Sequence, residues 1–143
     1  MKVSKKAYYG LRAAVSLAAS GQAVSAHELA EAEYIPEDFL EKILQKLRQV
    51  GIVESKKGVD GGYALARPTE TISAWDILEA LDGPIRSFAP PLKNTLPCSI
   101  ISHCQTNEVW RILEKEIERT LTKITLGKLT AQENHKSKIP SSK

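Results

Sequence analysis

Cysteine is scarce in this 143-residue sequence, which has two, at positions 98 and 104. So few cysteines exclude a disulfide-stapled scaffold and favour free thiols, a metal site or a redox function in a reducing compartment. No stretch approaches the roughly 20 consecutive apolar residues that cross a bilayer, and the first residues lack the pattern of a secretory signal. We therefore expect a soluble, cytoplasmic protein.

Recognisable catalytic spacings are also absent. The sequence contains no Ser/His/Asp set, phosphate-binding glycine loop or paired carboxylates at a diagnostic spacing, so we expect no enzymatic activity. The net charge is only +3, and charge alone therefore does not indicate a nucleic-acid partner. What matters is where the lysines lie once the chain has folded.

Apolar periodicity predicts three helices in the first third of the chain. Apolar residues recur at helical spacing over residues 4–20. Ser25 and Glu28 form a capping-box pair that predicts the start of a short second helix. A third helix begins near Pro36, carries an apolar stripe and ends at Gly51. The second and third helices are typical of a helix-turn-helix, although an αα-hairpin of a small bundle has the same pattern.

A basic hairpin follows the third helix. Two strand-like runs, residues 52–56 and 63–67, are joined by a glycine-rich turn. A hairpin in this position is a wing, and its tip carries Lys56 and Lys57. Such a tip reaches the DNA backbone or minor groove while the preceding helix lies in the major groove. The order of elements predicts a mainly α-helical winged helix-turn-helix fold with a small β-hairpin.

The last 60 residues predict a helix, a loop and a longer helix. A second capping-box pair, Ser73 and Asp76, starts the fourth helix, which ends at Gly83 and packs against the first. Four prolines between positions 84 and 97 predict a loop. The longer helix has an apolar stripe that its own chain leaves uncovered, so we expect a two-fold homodimer. The alternative is a stripe folded back onto its own domain. The stripe consists of Trp110, Leu113, Ile117, Leu121 and Ile124.

These patterns divide the chain into four parts. The predicted parts are a DNA-binding domain (1–83), a loop with the candidate sensor cysteines (84–105), a dimerisation helix (106–128) and a polar, disordered tail (129–143).

Three stretches resemble the Rrf2 family of bacterial transcription regulators: "AYYGLRAAVSLA", "IPEDFLEKILQKLRQVGIVESKKGVDGGYALARP" and "ISAWDILEALDGP". The resemblance covers about residues 1–128. It implies a dimeric, sequence-specific regulator that binds double-stranded operator DNA and is joined through its long C-terminal helix. Members include iron-sulfur and nitric-oxide sensors. The alternative function is a protein-interaction module that regulates a partner enzyme, as is thought of one cysteine-metabolism relative.

The resemblance also implies that the third helix reads the major groove and the hairpin enters the minor groove. Lysines would neutralise phosphates, while Asp38 or Glu41 would accept a hydrogen bond from a cytosine amino group. Support of the helix dipole is the alternative role of Glu37 and Asp38. Tyr8 and Tyr9 either touch the DNA backbone or are buried. The candidate DNA contacts are Lys5, Lys6, Pro36, Glu37, Asp38, Glu41, Lys42, Lys46, Lys56, Lys57, Gly58 and Val59.

Sensors of this family carry three cysteines before the long helix, and these hold a 2Fe-2S or 4Fe-4S cluster. Cys98 and Cys104 match two of them, whereas the first position is Leu92 and Asn107 replaces a histidine of some relatives. The resemblance implies a 2Fe-2S cluster completed by His103 or by the partner subunit. A redox pair that closes to a disulfide and cysteines without a role are the alternatives. Mononuclear zinc would need more donors than this segment supplies.

Overall fold

The described part of the chain is mostly helical, with one small hairpin. A computed structural model describes residues 3–84 and 105–136. The predicted loop and its candidate ligands Cys98, His103 and Cys104 lie outside these residues. The elements are α1 (Lys5–Ser20), α2 (Ala26–Glu33), α3 (Glu37–Gln49), β1 (Val53–Lys56), β2 (Gly62–Leu65), a 3-10 turn (Thr69–Thr71), α4 (Ala74–Asp82), α5 (Gln105–Lys123) and α6 (Leu126–Lys136).

Both predicted capping boxes are formed. The Ser25 hydroxyl accepts from the Glu28 N–H at 3.1 Å, and the Glu28 carboxylate accepts from the Ser25 N–H at 3.2 Å. Ser73 and Asp76 make the same reciprocal pair at 3.2 and 2.9 Å. Each box satisfies two backbone groups that a helix start otherwise leaves unpaired. The predicted starts of α2 and α4 are therefore confirmed.

The helical core is built around α3, which is buried along most of its predicted apolar stripe. This stripe packs against α1 and α4, and Phe39 at its edge meets the ring of Tyr9 edge-on at 5.8 Å. α4 packs closely on α1 at Gly10, where a Cβ would lie 2.1 Å from Leu81 Cδ1, so that any larger residue would force the buried Leu81 side chain to shift. The fully buried residues of α3 are Leu40, Ile43, Leu44 and Leu47.

The wing is an antiparallel hairpin in which Val53 pairs with Leu65 and Lys56 with Gly62. Its strands are shorter than the predicted runs. Val24, before α2, exchanges two backbone hydrogen bonds with Tyr63 at 2.9 and 2.8 Å. Gly62 has φ +150°, and a Cβ there would lie 2.4 Å from the Val24 carbonyl oxygen. The base of the wing is therefore fixed to the start of the helix-turn-helix.

The predicted single helix over residues 106–128 is wrong in its last part. α5 stops before residues 124–125, which pair with the chain at residues 72–74 ahead of α4. In this pairing the Ala74 N–H donates to the Ile124 carbonyl oxygen at 2.8 Å. Backbone groups that pair with α4's start cannot continue the helical hydrogen-bond pattern, so Ile124 is not part of the α5 stripe.

The predicted disordered tail, residues 129–143, is also wrong up to the end of α6. Leu126 is fully buried and Leu129 packs against the core, so α6 contacts α1 and the 3-10 turn. A pair of leucines three residues apart is enough to hold one face of a short helix on a neighbour. No helix in the described ranges combines the length and apolarity needed to cross a bilayer.

Candidate nucleic-acid interface

α2 and α3 form the predicted helix-turn-helix. They contact each other across a turn at residues 34–36. In this turn Tyr34 adopts the left-handed conformation, with φ +55°, and its side chain is 88% exposed. Ile35 is buried in the core, and Arg12 forms a 3.0 Å ion pair with Glu33 that ties α1 to the end of α2. The turn is therefore anchored on its inner side and presents an aromatic ring outward.

The candidate DNA contacts all lie on the surface. They occupy three places: the first turn of α1, the exposed surface of α3 with the residue before it, and the tip of the wing. Surface position is necessary for contact with DNA, but it does not test the contact, so these roles stay predictions. The exposed residues are Lys5, Lys6, Pro36, Glu37, Asp38, Glu41, Lys42, Lys46, Lys56, Lys57, Gly58 and Val59.

The two wing lysines differ in their electrostatic environment. Lys56 Nζ lies 2.6 Å from a carboxylate oxygen of Glu54 on the same strand. Lys57 forms no ion pair within the described residues. Because Glu54 already offsets the charge of Lys56, the cation that the wing offers without compensation is Lys57.

Lys46 lies on the flank of α3 and not on its outermost face. It shares an open cleft with Lys6 and with Arg67, an exposed cation that the sequence interpretation missed. Three carboxylates line the same cleft, so its charges are balanced. They belong to Asp76, Glu79 and Asp82, and the Ser4 hydroxyl donates to the last.

The outer face of α3 holds two amide side chains that the sequence interpretation also missed. Gln45 and Gln49 are exposed and follow Asp38 and Lys42 at spacings of four, three and four residues. Residues at these spacings share one face of a helix, so the signal was present in the sequence. Near the end of the same helix, Arg48 donates to the Ser55 hydroxyl of β1 at 3.3 Å, which links α3 to the wing.

His27, in the first turn of α2, bridges the two helices of the motif. Its Nδ1 lies 3.0 Å from Glu37 of α3, and its Nε2 lies 3.3 Å from Glu31 of α2. The hydrogen bond with Glu37, followed by the charge of Glu31, raises the pKa of His27 above its usual value. The two carboxylates meet opposite ring nitrogens and do not converge on one point. Across the described ranges, no group of three or more histidine, cysteine or acidic side chains is arranged to hold a metal ion.

The predicted dimer stripe is only partly free in the structure. None of the described residues of α5 is buried. Trp110 and Leu113 are 36% and 38% exposed, while Leu121 packs against the core of its own chain. Ile117 is half-buried. Two further apolar side chains of α5 that the sequence interpretation left out are exposed, Val109 and Ile112.

A helix-turn-helix with a polar outer face, followed by a hairpin fixed to its base, defines a winged helix-turn-helix DNA-binding protein. The fold class predicted from the sequence is thus confirmed. The family model named Rrf2, described as an iron-dependent transcriptional regulator, matches residues 3–132. The chain belongs to the Rrf2 family, whose members are transcriptional regulators and not enzymes.

Known relatives are similar to this chain in sequence and in fold along most of its length. A Mycobacterium tuberculosis protein named as an HTH-type transcriptional regulator is 42% identical over 129 residues, 89% of this chain and 80% of that protein. The solved structure of CymR, the global cysteine regulator of B. subtilis, has a TM-score of 0.76 at 29% identity and covers 92% of this chain and 98% of its own. The T. potens IscR structure has a TM-score of 0.73 at 30% identity, with 99% and 94% covered.

Replacing His27 by Gln should reduce stability at low pH and leave it unchanged at high pH. Since the folded state raises the pKa of His27 above 6.5, its contribution is full below that value and is lost as the pH rises through the folded pKa. The measurement is the free energy of unfolding by urea at about pH 5.5 and about pH 8.5. Glu37→Gln should remove most of the same pH dependence. An equal difference between wild type and His27→Gln at both pH values would contradict this role.

Proposed function

We propose that this protein is a homodimeric, sequence-specific transcription regulator of the cytoplasm. In this proposal α3 lies in the major groove of operator DNA and the wing tip lies in the minor groove. The observation that carries the proposal is the two-sided character of α3. Its inner face is buried against α1 and α4, while its outer face is polar and exposed beside a wing that is fixed to the start of α2.

The carboxylates on α3 fit sequence-specific binding better than general affinity for DNA. Glu37, Asp38 and Glu41 are exposed near the start of the helix. A carboxylate repels phosphates at every sequence but accepts a hydrogen bond where a cytosine amino group faces it. Such groups lower affinity least at a matching base, so they add discrimination. Protonated His27 would offset part of the negative charge of Glu37.

The dimer is proposed to form through the exposed apolar face of α5. Trp110, Leu113 and the half-buried Ile117 lie on this face, with Val109 and Ile112 along its edge. Pairing this face with its copy about a two-fold axis would remove these side chains from water. A two-fold dimer also places two copies of α3 against two half-sites, which lie about 34 Å apart in successive major grooves.

Control by a 2Fe-2S cluster or by thiol redox state is proposed for the segment between α4 and α5. One chain supplies two thiols and one imidazole, from Cys98, Cys104 and His103. Iron-sulfur clusters need four protein donors and accept mixed cysteine and histidine sets, so the donors fit a cluster only if the partner subunit adds one. When bound, the cluster would supply redox and iron-responsive chemistry.

The position of this segment explains how such a change would reach DNA. It joins α4, which packs against α3, to α5, which carries the proposed dimer face. A change in the segment would therefore alter the separation of the two α3 helices in the dimer. Because half-site spacing is fixed by the DNA helix, small changes in that separation alter affinity.

Replacing Lys57 by Ala should weaken binding to all sequences and flatten the salt dependence of affinity. Loss of one phosphate contact reduces the slope of log affinity against log salt by roughly one unit per wing. Lys56→Ala should have a smaller effect because Glu54 already compensates that charge. The measurement is a mobility-shift titration at several salt concentrations, using the protein's own upstream DNA and Lys115→Ala of α5 as control. An unchanged slope in Lys57→Ala would show that the wing tip does not contact the DNA phosphates. If wild type showed no salt-sensitive binding at all, the protein-interaction alternative would be favoured.

Replacing Leu113 by Glu should dissociate the dimer. Leu113 is 38% exposed in one chain, so the dimer gains only part of the about 1.5–3 kcal/mol of a fully buried leucine at each of two copies, and a glutamate there adds the cost of burying a charge. The dimer Kd should therefore rise at least roughly 10-fold. Sedimentation equilibrium measures the Kd. Lys115→Glu, on the same exposed helix but away from the apolar face, should remain dimeric. A Leu113→Glu protein that dimerises as tightly as wild type would show that α5 is not the interface.

Anaerobically purified wild type should contain iron and sulfide and absorb visible light, whereas Cys98→Ala should contain neither. The reason is that two thiols are all that one chain can offer to a cluster, and loss of one leaves too few donors. Ser99→Ala is the matched control. Iron-free wild type from strictly anaerobic cells would contradict the cluster. Reversible loss of two titratable thiols on oxidation of that protein would then support the disulfide alternative.

A further inference from the structure

The outermost line of α3 runs past the candidate DNA contacts Asp38 and Lys42 to two glutamines. Asp38, Lys42, Gln45 and Gln49 are all exposed and lie on one face, opposite the buried leucines. Within the described residues the Gln45 amide forms no hydrogen bond, so its donors and acceptor are available to a ligand. An exposed glutamine is common on protein surfaces, so whether it can contact a ligand depends on the elements that surround α3.

Both flanks of α3 are occupied by contacts with other elements. Phe39 packs on Tyr9 of α1, Glu37 meets His27 of α2, and Arg48 donates to Ser55 of the wing. These contacts leave the line through Gln45 as the direction in which α3 faces solvent. A duplex that docks against α3 would therefore meet Gln45.

The position of Gln45 along the helix also suits a base contact. It lies four residues after Glu41, which is about 6 Å along the axis. The major groove is about 12 Å wide, so both side chains fit within the part of α3 that one groove receives. Gln45 thus lies about one turn further along α3 than Glu41 and about two turns further than Glu37 and Asp38.

Given the proposed function, on which this inference rests, we propose that Gln45 reads an adenine in each operator half-site. The glutamine amide offers one acceptor and two donors in a plane. The major-groove edge of adenine presents an N6 donor and an N7 acceptor, which the amide can engage together. The same edge of guanine carries two acceptors and that of cytosine carries a donor, so neither can satisfy both parts of the amide.

Selection from a randomised double-stranded DNA library tests this assignment. Wild type should enrich adenine at one position of each half-site. Gln45→Glu should shift that position toward cytosine, because a carboxylate can only accept. Gln45→Met, of similar length without the amide, should lose roughly five- to 150-fold of the discrimination at that position and leave the others unchanged. Gln132→Glu, the same charge change on the exposed surface of α6, is the control and should select the wild-type site.

The outcomes separate this inference from the proposed function. If wild type selects a defined site and both Gln45 variants select the same bases, Gln45 is not a base reader, while the regulator proposal stands. A uniform loss of affinity with unchanged base preferences would likewise overturn the inference, since that is the behaviour of a phosphate contact. If wild type selects no site, the proposed function fails and the inference fails with it. Circular dichroism of each variant confirms that the fold is retained.

Discussion

The burial of one face of α3 is the constraint on which the rest of the structure depends. Leu40, Ile43, Leu44 and Leu47 are fully buried against α1 and α4. This packing sets the rotation of α3 about its own axis, because turning the helix would expose leucine and bury charge. The polar residues on the opposite side therefore face solvent because of the core packing, and they need no contacts of their own to be held in that direction. The exposed polar face of α3 is thus positioned by the core behind it.

The same core joins the DNA-binding elements to the C-terminal helices. Backbone hydrogen bonds connect residues 72–74 to the junction between α5 and α6, and Leu126 of that junction is fully buried. α4 packs on both α1 and α3. The C-terminal end of α5 is thus fixed to α4, which packs on α3. A displacement of α5 would therefore reach α3 through packed helices and not through a flexible linker.

How well the sequence predicted the structure depended on how local each signal was. The capping pairs Ser25–Glu28 and Ser73–Asp76 involve neighbours three residues apart, so sequence alone was enough to place both helix starts. The end of α5 depends on pairing between residues 72–74 and 124–125, partners about 50 residues apart that no periodicity reveals. α6 was missed because its composition is polar, while its position depends on two leucines that meet α1 and the 3-10 turn.

Among the candidate site residues, the lysines were found by charge. Gln45 and Gln49 were overlooked because uncharged amides draw attention only once the exposed face of α3 is defined.

The modest net charge of the chain is accompanied by acidic neighbours at several of its exposed cations. A total of +3 would not by itself hold a protein on DNA, and several cations already have acidic neighbours. Glu54 pairs with Lys56, and the cleft that holds Lys6 and Lys46 contains three carboxylates. Nonspecific affinity, which depends on uncompensated cations, is thereby limited. Weaker contact with phosphates would help the proposed regulator to leave the many competing sites of a genome, while the ratio of specific to nonspecific binding would depend on its base contacts. In the proposed complex the two effects differ: the acidic residues of α3 would lower binding to arbitrary sequences more than binding to a matching site, whereas the paired lysines would lower contact with phosphates at every sequence.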